Sequence, residues 1–140
     1  MQELLAVESL PIVGHRSPAQ PMAWRAGRAI SVAEFVADVM GLAAALPEGC
    51  DILNLCQDRY RFTVTFAAAL VAGRVSLLAQ NQAERTLEQI VAAHPGCIAI
   101  AEAPVAGCPV PMRLFDEAFV PAGKPAKVPE IPADRIAALV

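Results

Sequence analysis

The residues best placed for chemistry in this sequence are Asp58-Arg59-Tyr60-Arg61, an acid followed by two cations and a phenol at the start of an apolar helical pattern. The first turn of a helix has free N–H groups and a dipole that favour negative charge, so two arginines there work against the local field. Asp58 as N-cap offsets part of that by accepting a backbone N–H. The segment also follows a short apolar strand pattern, and open α/β sheets bind ligands at the carboxyl ends of their strands. Arg59 and Arg61 are therefore a candidate anion site. The competing reading makes them surface arginines paired to Asp58 or to acids elsewhere.

Other reactive residues fall to simpler readings. His15-Arg16-Ser17 has a histidine near a serine, but no G-x-S-x-G turn surrounds them and Pro18 follows, which predicts a solvated loop. Gly123-Lys124 stands alone in a proline-rich stretch, with no G-x-G-x-x-G or Walker sequence anywhere in the chain. Asp116 and Glu117 are adjacent, so they point in different directions and make a poor acid/base pair. His94 falls in the last turn of a predicted helix, where the negative end of the dipole accounts for it. Cys50, Cys56, Cys97 and Cys108 have no C-x-x-C spacing, and Cys56 and Cys97 fall in predicted buried strands. They read as reduced core thiols, and no catalytic residue or metal ligand is assigned.

The element that must position Arg59 and Arg61 is the run from Asp51 to Gln80. Residues 51–57 form an apolar run too short for a helix, 60–73 are long enough for about four turns, and 75–79 are short and apolar again. Together they read as one strand-helix-strand unit, near the roughly thirty residues a parallel crossover needs. The helix is apolar on nearly every side (Phe62, Val64, Phe66, Leu70, Val71), which predicts burial on both sides.

Before this unit, residues 1–21 start with a short helical pattern (Leu4, Leu5, Val7) and pass into an extended arm broken by Pro11, Pro18 and Pro21. Met22 to Arg25 and Arg28 to Ile30 suggest a hairpin turned by Gly27, with Trp24 expected to pack against the protein rather than to form a binding platform. Ser31 and Glu34 have capping-box spacing, and Val32, Phe35, Val36, Val39, Leu42 and Leu46 then recur at helical intervals until Pro47-Glu48-Gly49. After the unit, residues 83–93 predict an amphipathic helix with Leu87, Ile90 and Val91 inward, ended by His94-Pro95-Gly96. Cys97 to Ala101 predicts a buried strand and Val110 to Phe115 a further one. Residues 22–103 thus form the α/β core, and 104–140 a proline-rich connection ending in a strand over Arg135 to Val140. The expected fold is α/β, three-layered, with a mostly parallel sheet flanked by helices.

Composition narrows the function further. At 140 residues the chain is one ordinary domain. Its hydrophobic share of 56% exceeds the usual share of about 45–50%, and its mean hydropathy of +0.46 is high as well. The longest near-apolar stretch, Phe62 to Ala79, is broken by Gly73 and Arg74, so no membrane span is expected. The excess apolar surface is then expected to meet a partner or a second copy. A net charge of −3 provides no basic field for nucleic acid. The first eight residues carry two acids and no basic start, which reads against a secretory signal and for a cytoplasmic location.

Taken in order, these segments resemble the start of the AMP-forming adenylating enzymes, the superfamily of acyl-CoA synthetases, acyl-AMP ligases and nonribosomal adenylation domains. The resemblance rests on Ile30-Ser31-Val32-Ala33-Glu34-Phe35 with Leu42-Ala43-Ala44-Ala45-Leu46, on Ile52-Leu53-Asn54-Leu55, and on Phe66-Ala67-Ala68-Ala69-Leu70-Val71-Ala72-Gly73. It continues through Val75-Ser76-Leu77-Leu78 and Arg85-Thr86-Leu87-Glu88-Gln89-Ile90. Many members carry a proline-asparagine pair where this chain has Cys56-Gln57-Asp58, and another proline where it has Ala79-Gln80-Asn81, so the acyl substrate stays open.

In the family, a strand resembling Ile136-Ala137-Ala138-Leu139-Val140 leads into a phosphate loop of the type T-S-G-[ST]-T-G, which is not among these residues. The resemblance implies an N-terminal segment, cut before that loop, of a parent ligase of fatty-acid metabolism. The parent would use ATP and Mg to make an acyl-adenylate and then a thioester with CoA or a carrier protein. The segment itself would bind no cofactor, would be inactive in isolation, and would have the rest of the parent enzyme as its partner. The alternative is a complete small α/β binding domain that docks a partner through its apolar face.

Overall fold

The computed structural model describes residues 8–14, 17–119, 121, 123 and 127–140; the expected helix over Leu4, Leu5 and Val7, the His15-Arg16 pair and Lys124 lie outside them. In chain order the elements are β1 (Ser9–Pro11), β2 (Pro21–Arg25), β3 (Arg28–Ser31), α1 (Val32–Ala45), β4 (Ile52–Asn54), α2 (Arg59–Val71) and β5 (Ser76–Leu77). They continue with α3 (Glu84–Ala93), β6 (Ile98–Ala101), β7 (Met112–Leu114), α4 (Phe115–Ala118), β8 (Glu130–Pro132) and β9 (Ala138–Leu139).

Five strands form the central sheet in the order β7-β6-β4-β5-β9, and every neighbouring pair is parallel. The strand-helix-strand unit is its middle: β4 and β5 are adjacent, with Ile52 opposite Ser76 and Leu53 opposite Leu77. A parallel sheet needs both faces covered, and side chains that alternate along each strand supply two cores. Ile52 and Ile100 face the α1 and α2 side, in a cluster with Phe35, Val39, Leu42 and Val64. Leu53, Leu77, Ala99 and Ala101 face the other side, in a cluster with Leu87 of α3. The expected helix-flanked α/β layering is therefore observed. No helix among the described residues is long and apolar enough to cross a membrane.

Local signals set the helix starts. Ser31 Oγ accepts the Glu34 N–H at 3.1 Å, while Glu34 Oε2 accepts the Ser31 N–H at 2.8 Å. Such a cap contributes on the order of 1 kcal/mol. The carboxyl of Glu34 is held below its ordinary value by the Ser31 backbone N–H and by Arg28, 2.9 Å away. The hairpin of β2 and β3 turns on Ala26 and Gly27, at φ 48° and 77°. Two successive positive φ values suit the right-handed twist of paired strands; glycine accepts this freely and alanine at a cost.

The structure departs from the expectations at two points. Trp24 is 70% exposed rather than packed. Its neighbours Ala23 and Arg25 turn toward the core and the Tyr60 ring respectively, so alternation along the strand sends the indole outward. Helix α2 is not enclosed all round. Val64, Thr65, Ala67, Ala68 and Ala69 are buried, whereas Phe62, Phe66 and Leu70 are half-buried, and the two phenylalanine rings stack on each other with centroids 6.4 Å apart. The small residues are the ones that let α2 approach its neighbours closely, and the larger rings are left at the margin. Within the extended arm, β1 pairs antiparallel with β8 in a separate two-stranded sheet.

Candidate functional site

The carboxyl ends of β4 and β6 gather the polar residues into one network around the start of α2. Asn54, the last residue of β4, donates from Nδ2 to the Phe62 carbonyl at 3.1 Å and accepts the Cys56 N–H at 3.2 Å. Glu102, just past β6, accepts the N–H groups of Gln57 at 2.7 Å and Asp58 at 3.3 Å. Asp58 then caps the helix by accepting the Arg61 N–H at 2.9 Å. Three side chains thus satisfy four backbone donors that the strand-to-helix turn would otherwise leave open. Gln82 binds the Leu55 carbonyl at 2.9 Å, which ties the entrance of α3 to the same turn.

Arg59 and Arg61 diverge. Residues two apart on a helix point roughly 200° apart, and the side chain of Arg59 is exposed. Arg61 turns to Asp116 of α4 and forms a bidentate pair, Nε to Oδ1 at 3.0 Å and Nη2 to Oδ2 at 2.9 Å. Its Nη1 lies 3.6 Å from Asp58 Oδ2, and the guanidinium sits 5.9 Å from the centre of the Phe115 ring. The cation that shares Asp58 with Arg61 is Arg25 of the hairpin, 3.8 Å from the same oxygen and 4.7 Å above the Tyr60 ring. Tyr60 in turn donates to Asp38 Oδ2 at 2.5 Å.

These contacts carry clear electrostatic signs. The hydrogen bond between Arg61 and Asp116 holds the carboxyl of Asp116 below its ordinary value and raises the guanidinium. Burial, reinforced by the bond to Asp38, raises the Tyr60 phenol, so it stays a donor. Arg25 and Arg61 face Asp58, Asp116 and Glu102, leaving no excess of positive charge. An anion arriving at Arg61 would have to displace Asp116. As it stands, the network braces the hairpin, α2 and α4 against the ends of the sheet.

The sequence points to Arg59 and Arg61 as an anion site with Asp58 as N-cap; Arg59 joins none of these contacts, and Arg25, Glu102 and Asp116 are not marked as their partners. Asp116 lies 55 residues from its partner, and nothing local marks it as an ion-pairing residue. Among the described residues no activated nucleophile is evident either. All four cysteines are free. The Cys56 thiol, buried beside Thr65, is pushed up to about 11 by burial, which keeps it protonated at neutral pH. Among the described residues, no group of three or more His, Cys, Asp and Glu could hold a metal ion.

A second region has the opposite character. Between α3 and the β5–β9 edge lies an open groove of about 390 Å³, lined by Leu77, Leu78, Ile90, Ala93, Leu139 and Val140, with His94 and Gln89 among its polar groups. Leu139 is 43% exposed and Val140 fully so. Among the described residues the outer edge of β9 is unpaired and lies beside this mixed polar and apolar groove.

No family model and no curated protein matches the sequence. Solved structures do. O-succinylbenzoate coenzyme A synthetase (MenE) from Bacillus subtilis, in complex with AMP, matches at a TM-score of 0.68 and 15% identity, over 94% of this chain and 38% of that one. The NpsA N-terminal subdomain from Klebsiella oxytoca, in complex with 3-hydroxyanthranilyl-AMSN, matches at 0.65 and 18% identity, over 86% and 32%. An artificially fused adenylation-PCP di-domain, NpsA-ThdA from the same organism, matches at 0.63 and 16% identity, over 86% and 25%. This chain spans between 25% and 38% of the length of these three. At such identities the likeness is one of fold, that of the N-terminal subdomain of adenylate-forming enzymes.

Proposed function

We propose that this chain is the N-terminal structural lobe of an AMP-forming acid-thiol ligase. The whole protein would use ATP and Mg to convert a carboxylic acid to an acyl-adenylate, with loss of pyrophosphate, and then transfer the acyl group to CoA or a carrier-protein thiol in the cytoplasm. The observation that carries the reading is the match of 94% of this chain to only 38% of MenE: nearly all of this fold recurs as part of a longer enzyme. Two features of the chain support a scaffolding role. Its Asp58–Arg61–Asp116 network is internally satisfied, and the exposed apolar side chains Ile136, Leu139 and Val140 lie at the β9 edge, where the rest of a ligase can pack. The adenylate, phosphate and thiol chemistry then belongs to residues outside these 140.

ATP–pyrophosphate exchange tests this directly. The 140-residue chain with ATP, Mg and a panel of carboxylic acids is expected to give no exchange above the protein-free blank. Exchange above that blank would overturn the scaffold reading. The exposed apolar side chains at the β9 edge also suit the second reading, a stand-alone α/β binding domain. The codons that follow Val140 in the natural gene separate the two: a phosphate-loop sequence supports the ligase, and a stop codon supports the binding domain.

A further inference from the structure

We draw no further inference here: the strongest candidate, the open groove between α3 and the β5–β9 edge of the sheet, restates the surface already proposed for the rest of a ligase, and nothing in the structure shows what covers it.

Discussion

The start of α2 and the β9 edge lie on the same sheet and are finished in opposite ways. At the start of α2, Asp58 and Arg61 meet partners while Arg59 stays exposed, and side chains accept the backbone N–H groups of Cys56, Gln57, Asp58 and Arg61. At β9 the side chains are chemically plain, yet they are left open to solvent beside a groove lined by both apolar and polar groups. Charge in a helix entrance is thus a weak guide to function, because a satisfied ion pair and a ligand site use the same residue types. Exposed apolar side chains beside a strand edge favour association, and among the described residues nothing pairs with the outer edge of β9.

The contrast can be broken by substitution. The largest effect is expected at Leu87, the only buried residue of α3 and fully enclosed against the β5 and β6 side of the sheet. Leu87→Ala should cost about 2–5 kcal/mol in urea unfolding, with hydrogen exchange rising first in α3. A loss below about 1 kcal/mol would mean that the second core is not closed as described.

Next is Asp58, whose carboxylate caps α2 and balances Arg25 and Arg61. Asp58→Ala should lose about 1–2 kcal/mol of unfolding free energy, and a neutral result would show that the brace contributes little.

Asp116→Ala should do less. An exposed ion pair contributes under about 1 kcal/mol at pH 7, and Asp116 is 62% exposed. Its effect has a definite pH signature. A carboxyl held low in the folded state adds stability above its unfolded pKa of about 3.9 and loses it as pH falls through the lower folded value. Removing Asp116 should therefore flatten the acid limb of a stability profile recorded from pH 7 to pH 2. An unchanged limb would detach Asp116 from Arg61 in solution.

The smallest effect on stability is expected at the groove. Leu139→Lys should shift unfolding by no more than about 0.5 kcal/mol, while reducing any concentration-dependent association seen by sedimentation. Severe unfolding in this variant would instead make Leu139 part of the core.

Sequence legibility followed the distance between partners. The capping box needs only Ser31 and Glu34, three residues apart, and both of its hydrogen bonds are present. The parallel β4-α2-β5 unit was readable from run lengths, although β5 is only Ser76–Leu77, because strand length is set by how far a neighbour stays in register. Trp24 shows the limit of a hydrophobicity argument, since alternation along β2 outweighed the size of the indole. Least legible were the partners of β1 and Arg61. Pairing β1 with β8 and Arg61 with Asp116 requires chain segments brought together from far apart.

The sequence by itself determined where backbone N–H groups would be capped, which faces of the helices were apolar and that short buried strands would alternate with helices. These follow from interactions within a few residues, where the chain has few alternatives. Only the tertiary structure decided what the Asp58-Arg59-Tyr60-Arg61 cluster is attached to and which apolar residues stay uncovered. Both depend on the order of the strands in the sheet: it brings α4 to Arg61, and among the described residues it leaves β9 at an edge with one side unpaired.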